Sequence, residues 1–141
     1  MANNNATIYL YFELTGQNLD FDRLENLFHK YEFLSALKGS NISKILKGKL
    51  TPAKCELDFF QVRSMYKKIS MNNFCKELYF FINQNIEHND WLRKIIEDNE
   101  ASIWCSIYPT YCQFGFEIEK KLMEILLQLD VSLGYTISYF E

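Results

Sequence analysis

From Ile8 to Leu14 the chain alternates without a break, with Ile8, Leu10, Phe12 and Leu14 separated by Tyr9, Tyr11 and Glu13. A two-residue period predicts a strand with one buried face. The stretch TGQNLD that follows holds turn-forming residues, and Asp20 is placed to cap a helix whose apolar stripe is Leu24, Leu27, Phe28 and Tyr31. Further on, KCELDFFQV predicts another strand, with Cys55, Leu57 and Phe59 on one side. Past residue 100 the order returns. SIWCSIY predicts a strand and a turn runs from Pro109 to Gly115. Ile118, Leu122, Ile125, Leu126 and Leu129 then form a helical stripe, and GYTISYF closes as a strand.

The return is a repeat in register. One constant step aligns Ala6 with Ala101, Ile8 with Ile103, Thr15 with Thr110, Phe21 with Phe116 and Leu27 with Leu122, and sets Tyr9 against Trp104. Two strand, helix, strand units predict one α+β domain over residues 1–141. The expected architecture is ferredoxin-like, a four-stranded antiparallel sheet with helices on one face. Unit one covers roughly residues 6–62 and unit two 101–141, with a helical insertion over 70–99 between them. In the insertion, Ser70 or Asn72 is placed to cap a helix carrying Phe74, Leu78, Phe81 and Ile82. Asp90 is placed to cap a shorter one carrying Leu92, Ile95 and Ile96.

Composition narrows the class. High apolar and aromatic content with only 5 Gly and 2 Pro excludes disordered and collagen-like chains. No run of eighteen apolar residues and no basic, apolar leader is present, so a membrane span and a signal peptide are not expected and the cytoplasm is the expected location. Cys55, Cys75, Cys105 and Cys112 form no CxxC pair, and His29 and His88 lie far apart, which gives no zinc-ligand spacing. Three of the four fall within apolar patterns and read as small core residues, and reduced thiols are expected. Net charge is −3 but unevenly spread: Lys38, Lys44, Lys47, Lys49, Lys54, Arg63, Lys67 and Lys68 face only Glu56 and Asp58 in residues 33–69.

The opening ATIYLYFELTGQNLDFDRLENLF, the loop LKGS, and the late ASIWCSIY and EIEKKLMEILLQLDVSLGYTISYF resemble a family of small bacterial proteins, domain-of-unknown-function family 4279. The resemblance spans nearly the whole chain. It implies a fold more than an activity, and some members look like immunity proteins encoded beside bacterial toxins, including those of contact-dependent growth inhibition.

No GxGxxG, P-loop, GxSxG or HExxH occurs, and His29 and His88 read as surface histidines, so a non-enzyme without cofactor or metal is expected. Alternation places Tyr9, Tyr11, Trp104 and Tyr108 on the sheet face opposite Ile8, Leu10, Phe12, Ile103, Cys105 and Ile107. Phe60 and Phe140 are expected to join these aromatics, with Glu13, Glu56 and Asp58 as an acidic border. Two arrangements stay open: this face meets a partner, or the inserted helices cover it. RNA-recognition domains also stack bases on sheet aromatics, but no RNP1 pattern is present and the border is acidic, so direct nucleic-acid binding is not expected.

The expectation is therefore a protein-binding module, an immunity protein that occludes a cognate, basic toxin domain such as a nuclease, itself a monomer or weak dimer away from membranes. Tyr9, Tyr11, Glu13, Trp104 and Tyr108 are the candidate contact residues on the sheet. Asp90, Glu97, Asp98 and Glu100 form an alternative acidic cluster at the insertion. The competing expectation is a small ligand-sensing module of ferredoxin-like geometry, and an enzyme of unrecognised type comes third.

Overall fold

The computed structural model describes residues 4–46, 49–64, 67–111 and 115–139, and for 41–46 and 49–54 the backbone alone. The elements run β1 (Asn5–Gly16), α1 (Phe21–Leu27), β2 (Glu32–Ala36), β3 (Asn41–Leu46), β4 (Lys49–Lys54), β5 (Asp58–Arg63), β6 (Lys67–Ser70), α2 (Phe74–Ile82), α3 (Asp90–Asp98), β7 (Glu100–Pro109), α4 (Lys120–Leu129) and β8 (Val131–Ile137). A single turn of 3₁₀ helix precedes α2, and a π-helical turn over Asn83–Glu87 follows it.

The long alternation at the N-terminus becomes the centre of the sheet. Strands lie in the order β2-β5-β1-β7-β8, and β6 pairs with the first residues of β1 where β5 has ended. Ser64 marks that handover: its N–H donates to Leu10 O at 2.8 Å, and its Oγ accepts from Leu10 N at 3.1 Å. β3 and β4 form a separate two-stranded hairpin between β2 and β5.

The α+β class holds, whereas the sheet departs from the four antiparallel strands expected. Among the described residues it has six strands, and it is mixed, because β7 and β8 are parallel and joined through α4. The extra strands, β2 and β6, are short, four or five residues each. β2 reads EFLSA with both faces partly exposed, so no alternation announces it. A second correction concerns β5. Its buried residues are Asp58, Phe60 and Val62, so Phe59 takes the opposite face and the expected stripe of Cys55, Leu57 and Phe59 is out of register by one. A one-residue slip exchanges the two faces of a strand. Here Asp58 decides the register: its carboxylate is buried because it accepts the N–H of Leu19 at 3.1 Å and of Lys38 at 2.8 Å.

All four helices contribute to one core on one side of the sheet. Ala6, Ile8, Leu10, Phe12 and Leu14 from β1 meet Ala101, Ile103, Cys105 and Ile107 from β7 there, as the alternation predicts. Asp20 caps α1 by accepting from Arg23 N, and Leu24 and Phe28 are buried beneath it. Asn89, one residue earlier than expected, caps α3 by accepting from Leu92 N. Phe12 lies at the junction, its ring 5.7 Å from that of Phe28 and 6.4 Å from that of Phe81 on α2. Cys55, Cys75 and Cys105 are free and buried. Burial pushes the Cys105 thiol up to about 12, which leaves it protonated and inert at neutral pH.

β1 and β7 pair antiparallel, and the residue opposite Leu10 is Cys105, the one that the sequence repeat equates with it. A local dyad therefore runs through the Leu10–Cys105 pair. The dyad does not extend to whole units: β5, expected to close unit one, is antiparallel to β1, and the strand parallel to β1 is β2 on the far side of β5, whereas β7 leads through α4 to its parallel neighbour β8.

Candidate functional site

The inserted helices join the core side, where Phe81 meets both Phe12 and Tyr31. They do not lie on the aromatic face. Tyr9, Tyr11 and Glu13 alternate with the buried residues of β1, as do Trp104 and Tyr108 with those of β7, so all five share the face away from the helices. Tyr9 touches Tyr11, with centroids 6.5 Å apart, and meets Tyr108 edge-on at 6.2 Å. Phe60 does not join them; it is fully buried against Phe28, and Phe59 takes its place on this face. Phe140 lies outside the described residues.

Cross-strand pairing arranges the face in rows. One row runs Glu32, Arg63, Tyr11, Trp104, Gly134 across five strands. Arg63 pairs with Glu32, and its guanidinium stands 5.6 Å over the ring of Tyr9. The hydrogen bond to Glu32 raises Arg63 above its ordinary value. The next row holds Gln61, Glu13, Ser102 and Ser132, with Gln61 Nε2 donating to Glu13 Oε1 at 2.8 Å.

Trp104 ends the aromatic row lying against Gly134. A Cβ added at Gly134 would fall 2.2 Å from Trp104 Cζ3, so only glycine admits the indole in this position. Trp104 is 38% exposed. Gly134→Ala is expected to lift the indole off β8 while leaving the core intact. Trp104 emission should shift to the red and its acrylamide quenching rise, with Trp91→Phe as background to isolate the signal. An unchanged spectrum would contradict the packing.

The acidic residues gather at one end of this face. Glu13, Glu100 and Asp130 line a groove of about 520 Å³ with Thr15, Ser102 and Ser132. Glu97, Asp98 and Glu100 line the adjoining groove, about 640 Å³, beside Gln17 and Asn18. The two clusters expected as rivals thus meet through Glu100. Asp90 is the exception: it begins α3 and stands roughly 12 Å along the helix from Asp98. Asp58 is not a border residue either, being held by backbone N–H groups in the core. Glu56 is exposed in the turn before β5.

Gln61 and Gly134, and the place of Arg63 on this face, are additions of the structure. The alternation of Phe60 and Val62 with Gln61 and Arg63 was the signal for those two. Gly134 shows its purpose only once β8 lies beside β7. His29 and His88 are exposed, His29 Nδ1 lying 2.9 Å from Asn26 O and His88 Nε2 3.1 Å from Asn83 Nδ2. Among the described residues, no group of three or more His, Cys, Asp and Glu side chains is gathered as a metal site, and no helix is long and apolar enough to cross a membrane. No family model matches this chain, and no curated protein or solved structure matches it.

Proposed function

We propose that this chain is a non-enzymatic protein-binding module, an immunity protein that works in the cytoplasm by occluding the active or substrate surface of a cognate basic toxin domain. One observation carries the reading: a row of aromatic side chains ending in the exposed Trp104, on the sheet face away from all four helices, with carboxylates gathered at one end. Tyr and Trp supply large contact area at low entropic cost and dominate interface energetics, while rim carboxylates steer a basic partner and raise its association rate.

The test is co-expression with the C-terminal domains of neighbouring reading frames. Rescue of growth by this protein, and binding of the same domain by calorimetry, is the expected result. Trp104→Ala should then weaken binding by at least about 2 kcal/mol, some thirtyfold, as a central aromatic anchor does. Glu13→Lys with Glu100→Lys should slow association and flatten its salt dependence. If no neighbouring domain is toxic and rescued, the immunity reading fails. If rescue occurs but Trp104→Ala binds as wild type, the partner sits elsewhere.

A further inference from the structure

The sheet ends differently on its two sides; on one, β2 and the four-residue β6, which begins Lys67-Lys68, are the outer strands. At one end β2 is five residues long, carries Glu32 paired with Arg63, and leads into the β3–β4 hairpin. A short, charged strand is a protected edge. At the other end β8 reads VSLGYTI, with no charge, no proline and no bulge against β7. Among the described residues, no strand pairs with its outer side.

The backbone direction of that edge follows from one hydrogen bond. Ser138 N donates to Ile107 O at 2.9 Å, so in the parallel ladder the even-numbered residues of β8 turn their N–H and C=O groups toward β7. Val131, Leu133, Tyr135 and Ile137 therefore turn theirs outward. An antiparallel partner in the right register can satisfy every one of them.

We infer that β8 is the docking edge for a second copy of this chain, pairing antiparallel with its own β8 about a dyad at Gly134. In that register Leu133 faces Tyr135 of the second copy and Val131 faces Ile137, all of them residues with outward backbone groups. Their side chains lie on the helix side, apolar against apolar. On the opposite face Ser132 meets Thr136 across the dyad, hydroxyl against hydroxyl, and no like charges are opposed although the chain carries a net −3. An arbitrary partner strand has no reason to fit this pattern; the same strand reversed does, which is the self-complementarity a two-fold interface demands. On the helix that packs over β8, Met123 and Leu127, one turn apart, are 51% and 82% exposed, and Tyr135 and Ile137 are themselves 49% and 39% exposed. These supply apolar area beyond the strand. The pairing would also bring Gly134, and with it the Trp104 ring, next to its counterpart, so that two aromatic faces merge into one.

A single strand pair with a few apolar side chains is smaller than a standard interface, so dissociation on the order of 10–100 μM is expected. Sedimentation of the full chain over a wide concentration range should show monomer passing to dimer. Tyr135→Pro removes an N–H that makes no ladder bond within the monomer, together with the edge-on contact of Tyr135 with Phe116, and Thr136→Lys places a charge opposite Ser132; each should abolish the dimer while leaving the circular dichroism spectrum close to wild type, and Thr136→Lys should leave the melting temperature there as well. Hydrogen exchange at the amides of Leu133, Tyr135 and Ile137 should slow with concentration in the wild type alone. A wild type that stays monomeric at millimolar concentration overturns the inference, as does a dimer that survives both substitutions. Slow exchange of these amides in a strict monomer would overturn it too, by showing that the chain covers its own edge.

Discussion

Phe12→Ala will cost about 3–5 kcal/mol, a large fraction of the roughly 5–15 kcal/mol by which a domain is stable. Phe12 is fully buried at the centre of β1, and its ring is the point where α1, through Phe28, and α2, through Phe81, meet the sheet. Truncation removes the transfer energy of the ring and leaves a cavity among aromatic neighbours that are themselves held by Phe60 and Tyr31 and so collapse poorly into the space. Urea unfolding should show the midpoint falling steeply with the slope unchanged. Phe33→Ala is the control: that ring also touches Phe60 but is 42% exposed, and its loss should cost no more than about 1.5 kcal/mol. Equal losses at the two positions would mean that the aromatic cluster does not organise the core.

The second large effect is expected at Asp58, the only charged residue that is buried among those described. Its two carboxylate oxygens accept from Leu19 N and Lys38 N, which joins the turn before α1, the loop before the hairpin and the start of β5 at one point. Asp58→Ala strands both donors where water has limited access. At roughly 1–3 kcal/mol for each unsatisfied group, the loss should be about 2–6 kcal/mol. Asp58→Asn keeps an acceptor of the same shape and should recover part of it. Amide exchange at Leu19 and Lys38 should accelerate in Asp58→Ala before the rest of the sheet is affected. If Asp58→Ala lies within about 0.5 kcal/mol of wild type, the carboxylate is solvated and does not tie these segments together.

These two residues also mark how far the amino-acid sequence could be read by itself. Phe12 stands in an alternation seven residues long, and such a pattern has only one way to bury its apolar half; the core faces of β1 and β7 and the stripes of α2 and α4 follow from local periodicity, and the Asp20 cap from residue type at a helix start. So do the five candidate contact residues on the sheet, since the face opposite a buried one is determined with it. Asp58 was read as a border acid because burying a carboxylate is costly until its donors are known, and those donors, Leu19 and Lys38, are distant in sequence. The register of β5 was missed for the same reason. Strand order, the parallel pairing of β8 with β7, the choice of core side by the inserted helices, and the meeting of Glu13 with Glu97, Asp98 and Glu100 all depend on contacts between remote segments. Periodicity is a property of each segment and settles which face is buried; what that face is buried against is a property of the assembled fold, and only the tertiary structure decides it.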